Sequence, residues 1–209
     1  MFDNIRADFH SHGRNWGSQG FWVMVVYRFG RWRYGIRPAL LRKPFSLVYK
    51  LNFKLVQVLT GIELPCEVTV GKNFVIDHFG GIVISGYTRF GDNCRIRTGV
   101  VVGLARVDDP CAPTFGNNVD IGAGAKVLGR ITIGDNVAIG ANSVVTRSVP
   151  SNSIAVGVPA KVKTRRRLRA LPGPLQHGVV AEPALGHRLG FEPSEVEAVA
   201  MRVSTETVN

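Results

Sequence analysis

A single histidine, His78, stands within residues 62–163. A neutral imidazole can take the proton from an attacking hydroxyl near neutral pH and pass it to a departing group, which makes His78 the chain's candidate general base. A histidine hydrogen-bonded at a turn of the chain would look the same, and residue type alone favours that plainer role. The other reactive side chains form no constellation. His10 and His12 lie in a polar N-terminal stretch without further metal-spaced ligands and read as surface histidines. Cys66, Cys94 and Cys111 have no CxxC spacing and an odd count, which implies a reducing compartment and no disulfide framework. Cys111 has no His or Asn arranged around it as a thiol nucleophile requires.

The element that must position His78 is a ladder of six-residue steps. Phe115, Ile121, Val127, Ile133, Ile139 and Val145 are each six apart, and small or β-branched residues follow four positions later at Val119, Ala125, Ile131, Val137 and Ser143. A period of six suits neither a helix nor an amphipathic strand. It suits a chain that turns a corner every six residues, with Gly or Asn at the corners and one apolar side chain per face pointing into a narrow core. Leu64, Val70, Ile76 and Ile82 extend the ladder, the frame slips by two, and Ile84, Phe90, Ile96 and Val102 resume it. The residues between Val102 and Phe115 read as a loop thrown out from the coil. Three faces close a coil of 18 residues, so roughly five coils fit between positions 64 and 158.

Two helices are predicted before the coil. Residues 18–35 carry an apolar stripe of Trp22, Val25, Val26, Phe29 and Trp32, with Ser18 as the cap. Residues 45–60 carry Leu47, Val48, Leu51, Leu55, Val58 and Leu59 on one side and Lys50, Lys54 and Gln57 on the other, with Pro44 before them and Gly61 as the stop. Both are basic and amphipathic. A membrane-surface role fits such helices, but packing against the coil end or a neighbouring subunit is the favoured expectation. The organisation is therefore a helical region at 1–61, a coil at 62–163 and a flexible tail at 164–209, where a charge run and several Pro and Gly residues break regular structure.

The net charge of +11 sits on the flanks. Residues 1–60 hold 10 Lys and Arg against 2 acids, the next hundred hold 8 against 8, and residues 161–209 hold 8 against 5. That is not the footprint of a nucleic-acid binder, whose basic and aromatic residues line one surface. The N-terminus is polar and the early apolar run, residues 21–27, is too short to span a bilayer. A cytoplasmic location is expected.

Three stretches, GIELPCEVTVGKNFVIDHFGGIVIS, VDIGAGAKVLGRITIGDNVAIGANSVV and SIAVGVPAKV, resemble the serine O-acetyltransferases of the hexapeptide acyltransferase superfamily, in order and nearly gapless over roughly residues 20–163. The resemblance implies a mainly β fold, a left-handed parallel β-helix, assembled as a trimer or a dimer of trimers with sites in the grooves between coils. It implies acetyl-CoA as co-substrate and no metal; the metal-dependent hexapeptide enzymes need several histidines on the rungs. It makes His78 the catalytic base. Glu63 stands where the family has the orienting Asp, 15 residues before the base. Asp77 matches a substrate-contacting Asp. Gly103, Ala123 and Ala141 match small residues that let the pantetheine arm approach, and Lys126, Arg130 and Lys161 are candidates for the CoA phosphates.

One departure matters. The family carries an Arg-His pair, followed by Pro, that recognises the amino-acid acceptor. Here Cys111 and Ala112 precede Pro113 at those positions, and Arg106 is the one candidate substitute. The expected reaction is acetyl transfer from acetyl-CoA to the hydroxyl of L-serine. The alternatives are acetylation of a sugar hydroxyl in surface polysaccharide synthesis, and a non-catalytic trimeric scaffold. The family's C-terminal docking segment ends in Ile, whereas this chain ends Thr207-Val208-Asn209, which leaves a partnership with the next enzyme of cysteine synthesis without support.

Overall fold

The computed structural model describes residues 2–37, 39–106 and 108–164. The expected tail, apart from Thr164, lies outside the described residues.

Residues 62–164 wind into a parallel β-solenoid of three faces. The first face stacks Ile62–Glu63, Ile82–Ile84, Val101–Gly103, Lys126–Leu128 and Val144–Val145. The second stacks Thr69–Val70, Arg89–Phe90, Thr114–Phe115 and Thr132–Ile133, and the third stacks Val75–Asp77, Arg95–Arg97, Asp120–Ile121, Ala138–Ile139 and Ser153–Val156. All these pairings are parallel. The one antiparallel partner is Lys161–Thr164, which folds back on Ser153–Val156 and closes the top edge of the third face.

The six-step residues fill the core. Leu64, Ile84, Val102, Val127 and Val145 point inward from the first face, Phe90, Phe115 and Ile133 from the second, and Ile76, Ile96, Ile121 and Ile139 from the third; all are buried. The follow-on positions Val119, Ala125, Ile131, Val137 and Ser143 are buried too. Full burial of one such aliphatic side chain stabilises by about 1.5–3 kcal/mol. Phe74, Phe90 and Phe115 form a column, with centroids 5.0 and 4.5 Å apart.

The corner between the second and third faces is built from asparagines. Asn73, Asn93, Asn118, Asn136 and Asn152 all adopt positive φ, which Asn tolerates better than most residues. Each side-chain amide donates to the next asparagine's Oδ1, at 2.9, 3.1, 3.0 and 3.1 Å. Ladders of this kind stitch successive coils at a solvent-facing edge.

The bottom of the coil exposes edge strands, and three helices cover it: α1 (Phe2–Ser11), α2 (Gln19–Arg33) and α3 (Ala39–Thr60). Side chains satisfy the open backbone groups. Tyr27 Oη donates to Val68 O (2.8 Å) and accepts from Val70 N–H (3.1 Å). Tyr49 Oη accepts from Cys66 N–H (3.0 Å), and His12 Nε2 accepts from Ile76 N–H (3.3 Å). Arg28 pairs with buried Asp8 (2.9 Å) and donates to Gly71 O (3.0 Å).

Ser18 caps α2 as expected, accepting from Phe21 N–H. The stripe on α2 differs from expectation. The buried face is Phe21, Val23, Met24 and Tyr27, with Arg28 buried through its Asp8 partner, while Trp22 and Trp32 are exposed. Helix α3 begins earlier than expected, with Pro44 inside it. The amide that proline removes would have served Leu40 O, which lies at an exposed position where water can replace it. The helices do pack on the coil, but α3 does so through Tyr49, Phe53, Val56 and Thr60. The stripe assigned to that packing faces outward. His12, expected on the surface, is half-buried and bonded to the coil.

Candidate active site

The frame slip of two is the corner that carries His78. From Ile76 to Ile84 the core step is eight residues, whereas from Ile96 to Val102 it is six; accordingly Ile62 pairs with Ile82 across 20 residues while Ile84 pairs with Val102 across 18. The two additional residues enlarge the turn between the third and first faces. His78 takes φ +64 there, and Gly80 and Gly81 take φ +92 and +65. A positive φ at a non-glycine residue is uncommon, and such outliers cluster at functional sites.

The turn is held from both sides. Below it, Gly80 N–H donates to Thr60 O (2.9 Å) and Ile82 N–H to Gly61 O (3.2 Å). Above it, Gly99 N–H donates to Gly80 O (3.0 Å), and Thr98 Oγ1 lies 2.8 Å from Phe79 O and 2.9 Å from Gly80 O. The backbone is fixed while the side chains of His78 and Phe79 are exposed.

The same edge of the prism continues upward as a flat, small-residue track. Gly61, Gly81, Gly99 and Gly124 all have positive φ and stack on one another. A Cβ on Gly61 would lie 3.1 Å from Gly80 Cα, and one on Gly99 would lie 3.3 Å from Gly124 Cα. Ala123 and Ala141 occupy this edge on successive coils, with Asn142 N–H donating to Ala123 O (2.8 Å). Lys126 Nζ donates to Gly99 O (2.6 Å) and Gly124 O (2.9 Å), which ties its ammonium to the corner itself.

The structure thus brings Asp77, His78, Ala123, Lys126 and Ala141 to one edge. Glu63 lies on the first face of the bottom coil, beside Val83, and accepts from Gln57 Nε2 (3.0 Å). Among the described residues no hydrogen bond joins it to His78. Gly103 ends a first-face strand and accepts from Gly129 N–H (2.9 Å), where the loop leaves the coil. Arg106 lies in that loop, exposed and paired with Asp108 (3.1 Å). Arg130 pairs with Asp109 (3.1 Å). The Cys111 thiol, bonded to Asp109, and Arg130 beside it hold the Asp109 carboxyl below its ordinary value. The same bond pushes the Cys111 thiol up. Lys161 lines a cavity of about 520 Å³ at the top of the coil with Arg147, Thr146 and Ser148.

The sequence did not single out the two arginines set against Asp77, Arg95 and Arg97. Asp77 accepts from Arg95 (2.8 Å), and Arg97 lies in register opposite Asp77, pairs with Asp120 and approaches Asp77 at 3.9 Å. The cations that pair with Asp77, at the start of the histidine's turn, therefore come from the next coil. The spacing of 20 between Asp77 and Arg97 was the available signal, hidden by the frame slip.

Comparisons with known proteins agree with this architecture. A model described as bacterial transferase hexapeptide (six repeats) matches residues 112–147. The chain is 40% identical over 159 residues to a serine acetyltransferase of Synechococcus elongatus, covering 76% of this chain and 62%, less than two thirds, of that protein. The solved serine acetyltransferase of Brucella abortus in complex with coenzyme A superposes with a TM-score of 0.65 at 27% identity, over 77% of this chain and 66% of that one. A serine acetyltransferase of Helicobacter pylori is 41% identical over 135 residues, covering 64% of this chain and 79% of that protein. With the hexapeptide core, the enlarged histidine turn and these matches together, the chain belongs to the serine acetyltransferase family.

Proposed function

We propose that this protein transfers an acetyl group from acetyl-CoA to the hydroxyl of L-serine, with His78 as general base. The observation that carries the reading is the His78 turn: an enlarged, backbone-clamped corner with positive φ, at the foot of a glycine-lined edge. In the reaction the imidazole takes the hydroxyl proton as the serine oxygen bonds to the thioester carbon. The tetrahedral intermediate then expels the sulfur, which receives the proton from the imidazolium. Glu63 orients the imidazole by exchanging its hydrogen bond from Gln57 for one from His78. Asp77 and Arg97 meet the acceptor, with Arg97 supplying the positive charge that Cys111 and Ala112 do not, and Arg106 is the alternative source.

The acetyl-CoA arm lies along the small-residue edge at Ala123 and Ala141, with Gly103 flanking it. Lys161 and Arg147 at the upper cavity meet the phosphates. Lys126 braces the edge through its two carbonyl contacts. His78 is exposed in the single chain, which supports an assembly of copies, trimeric or a dimer of trimers, that walls the groove. Unpaired cysteines support a cytoplasmic setting, and no described helix is long and apolar enough to cross a membrane.

Thiol release from acetyl-CoA with L-serine, for wild type and His78→Ala, tests the reading. A general base contributes about 10²–10⁴-fold, so the variant's rate falls by that range; equal rates overturn the assignment. Replacement of the family's acceptor-binding pair by Cys111-Ala112 favours a second reading, acetylation of a sugar hydroxyl. Thiol release with sugars and none with serine selects it.

A further inference from the structure

Helix α3 presents an apolar face that nothing among the described residues covers. Leu40, Leu47, Leu51, Leu55, Val58 and Leu59 are 56–76% exposed. They recur at helical spacing on the side away from Tyr49, Phe53 and Val56, which pack on the coil. Leaving so many large aliphatic side chains in water along one stripe marks an interaction surface.

The chemistry of its borders selects the partner. On one flank stand Lys43, Lys50 and Lys54. Within α3 there are four cations and no Asp or Glu. Arg42, Lys43, Ser46, Leu47 and Lys50 also line a cavity of about 360 Å³, wide enough for a phosphate group. On the other flank Trp32, 40% exposed, stacks edge-on against Phe45 at 5.5 Å. Aliphatic stripe, lysine row and flanking tryptophan are the three parts of a helix that lies in a headgroup layer. At 22 residues α3 is about 33 Å long, enough to span a bilayer. Its charges rule that out, and it does not qualify as a membrane-crossing segment.

A second copy of the chain fits less well. Pairing two such stripes brings lysine rows together with no acidic residue on either helix to offset them.

We propose that α3 docks on an anionic lipid bilayer, its stripe of leucine and valine at the acyl boundary and its lysine row on the headgroup phosphates. The helix lies flat, and the rest of the protein stands on it.

Sedimentation of the full chain with vesicles tests this. Wild type pellets with vesicles of phosphatidylcholine mixed with phosphatidylglycerol, less at high salt, and stays in solution with phosphatidylcholine alone. Two double variants separate the contributions: Leu51→Asp with Leu55→Asp removes the stripe, and Lys50→Glu with Lys54→Glu reverses the charge. All four positions are outward-facing, and unchanged circular dichroism melting verifies folding. The charge reversal lowers partition by at least about a hundredfold, since each cation near an anionic surface is worth on the order of 1 kcal/mol, and the stripe variant stays in the supernatant. The proposal is overturned if wild type does not pellet with anionic vesicles, or if both variants pellet like wild type. It is equally overturned if wild type fails to pellet and light scattering shows the stripe variant splitting a larger assembly, which assigns the stripe to a second copy.

Discussion

His12 Nε2 accepts the Ile76 N–H at 3.3 Å, two residues before His78. Its other nitrogen, Nδ1, lies 2.7 Å from Asp8 O, so α1 and the edge strand Val75–Asp77 are joined through one imidazole ring. Gly20 of α2 packs so closely there that a Cβ would lie 2.3 Å from Ile76 O. The N-terminal helices thus grip the strand that leads into the His78 turn.

His12→Ala removes the partner of a sheltered backbone N–H, and the loss costs about 1–3 kcal/mol of stability. If His12 also positions the His78 turn, kcat for acetyl transfer falls at temperatures where the variant is fully folded, while KM for acetyl-CoA, which is expected higher on the coil, stays level. A drop in melting temperature with kcat intact confines His12 to stability.

The glycine edge invites a second substitution. Gly99 has φ +71, and a Cβ would lie 3.3 Å from Gly124 Cα. Gly99→Ala costs on the order of 1–2 kcal/mol from the left-handed backbone alone. The methyl also narrows the track proposed for the pantetheine arm, so KM for acetyl-CoA rises. An unchanged KM in the folded variant moves the co-substrate away from this edge.

Much of this was legible in the sequence because the solenoid repeats at short range. Every core position from Phe115 to Val145 followed from a step of six, and the slip between Ile82 and Ile84 was visible, but that it enlarges the turn carrying His78 is seen only in three dimensions. What the sequence concealed depends on contacts between distant coils and caps. His12 meets Ile76 across 64 positions, and Arg97 meets Asp77 across an enlarged coil. The α2 stripe misled because Arg28, a charge, is buried by pairing with Asp8, while Trp22 and Trp32 stay outside. Amphipathicity picked out α3's aliphatic stripe and its lysine side but not the face the coil takes, which is Tyr49, Phe53, Val56 and Thr60.

Arg97 tests the acceptor. If it supplies the charge for a serine carboxylate, Arg97→Ala raises KM for serine well above any change in KM for acetyl-CoA, and Arg97→Lys recovers only part, because a lysine cannot reproduce a two-pronged contact. Were KM for serine unchanged, Arg97 would be only a rung of the Asp77–Arg97–Asp120 ladder.

The cysteines give a pH-dependent signature. Burial pushes the Cys94 thiol up to about 11, so the folded chain keeps it protonated through a range in which the unfolded chain ionises it. Its contribution to stability is therefore complete below the ordinary thiol value of 9.0 and is lost as pH rises from there toward 11. Cys111 is raised for a different reason, its bond to the Asp109 carboxylate. Asp109→Asn removes the negative charge that disfavours the thiolate, so the thiolate fraction at mildly alkaline pH increases and alkylation of Cys111 accelerates. Mass spectrometry after timed labelling of the native protein reads both effects: modification at Cys111, faster in the Asp109→Asn variant, and none at buried Cys94 until the chain unfolds. Labelling of Cys94 at the rate of Cys111 in the native protein contradicts the packing of the coil, and an unchanged Cys111 rate in the variant contradicts the assigned role of Asp109.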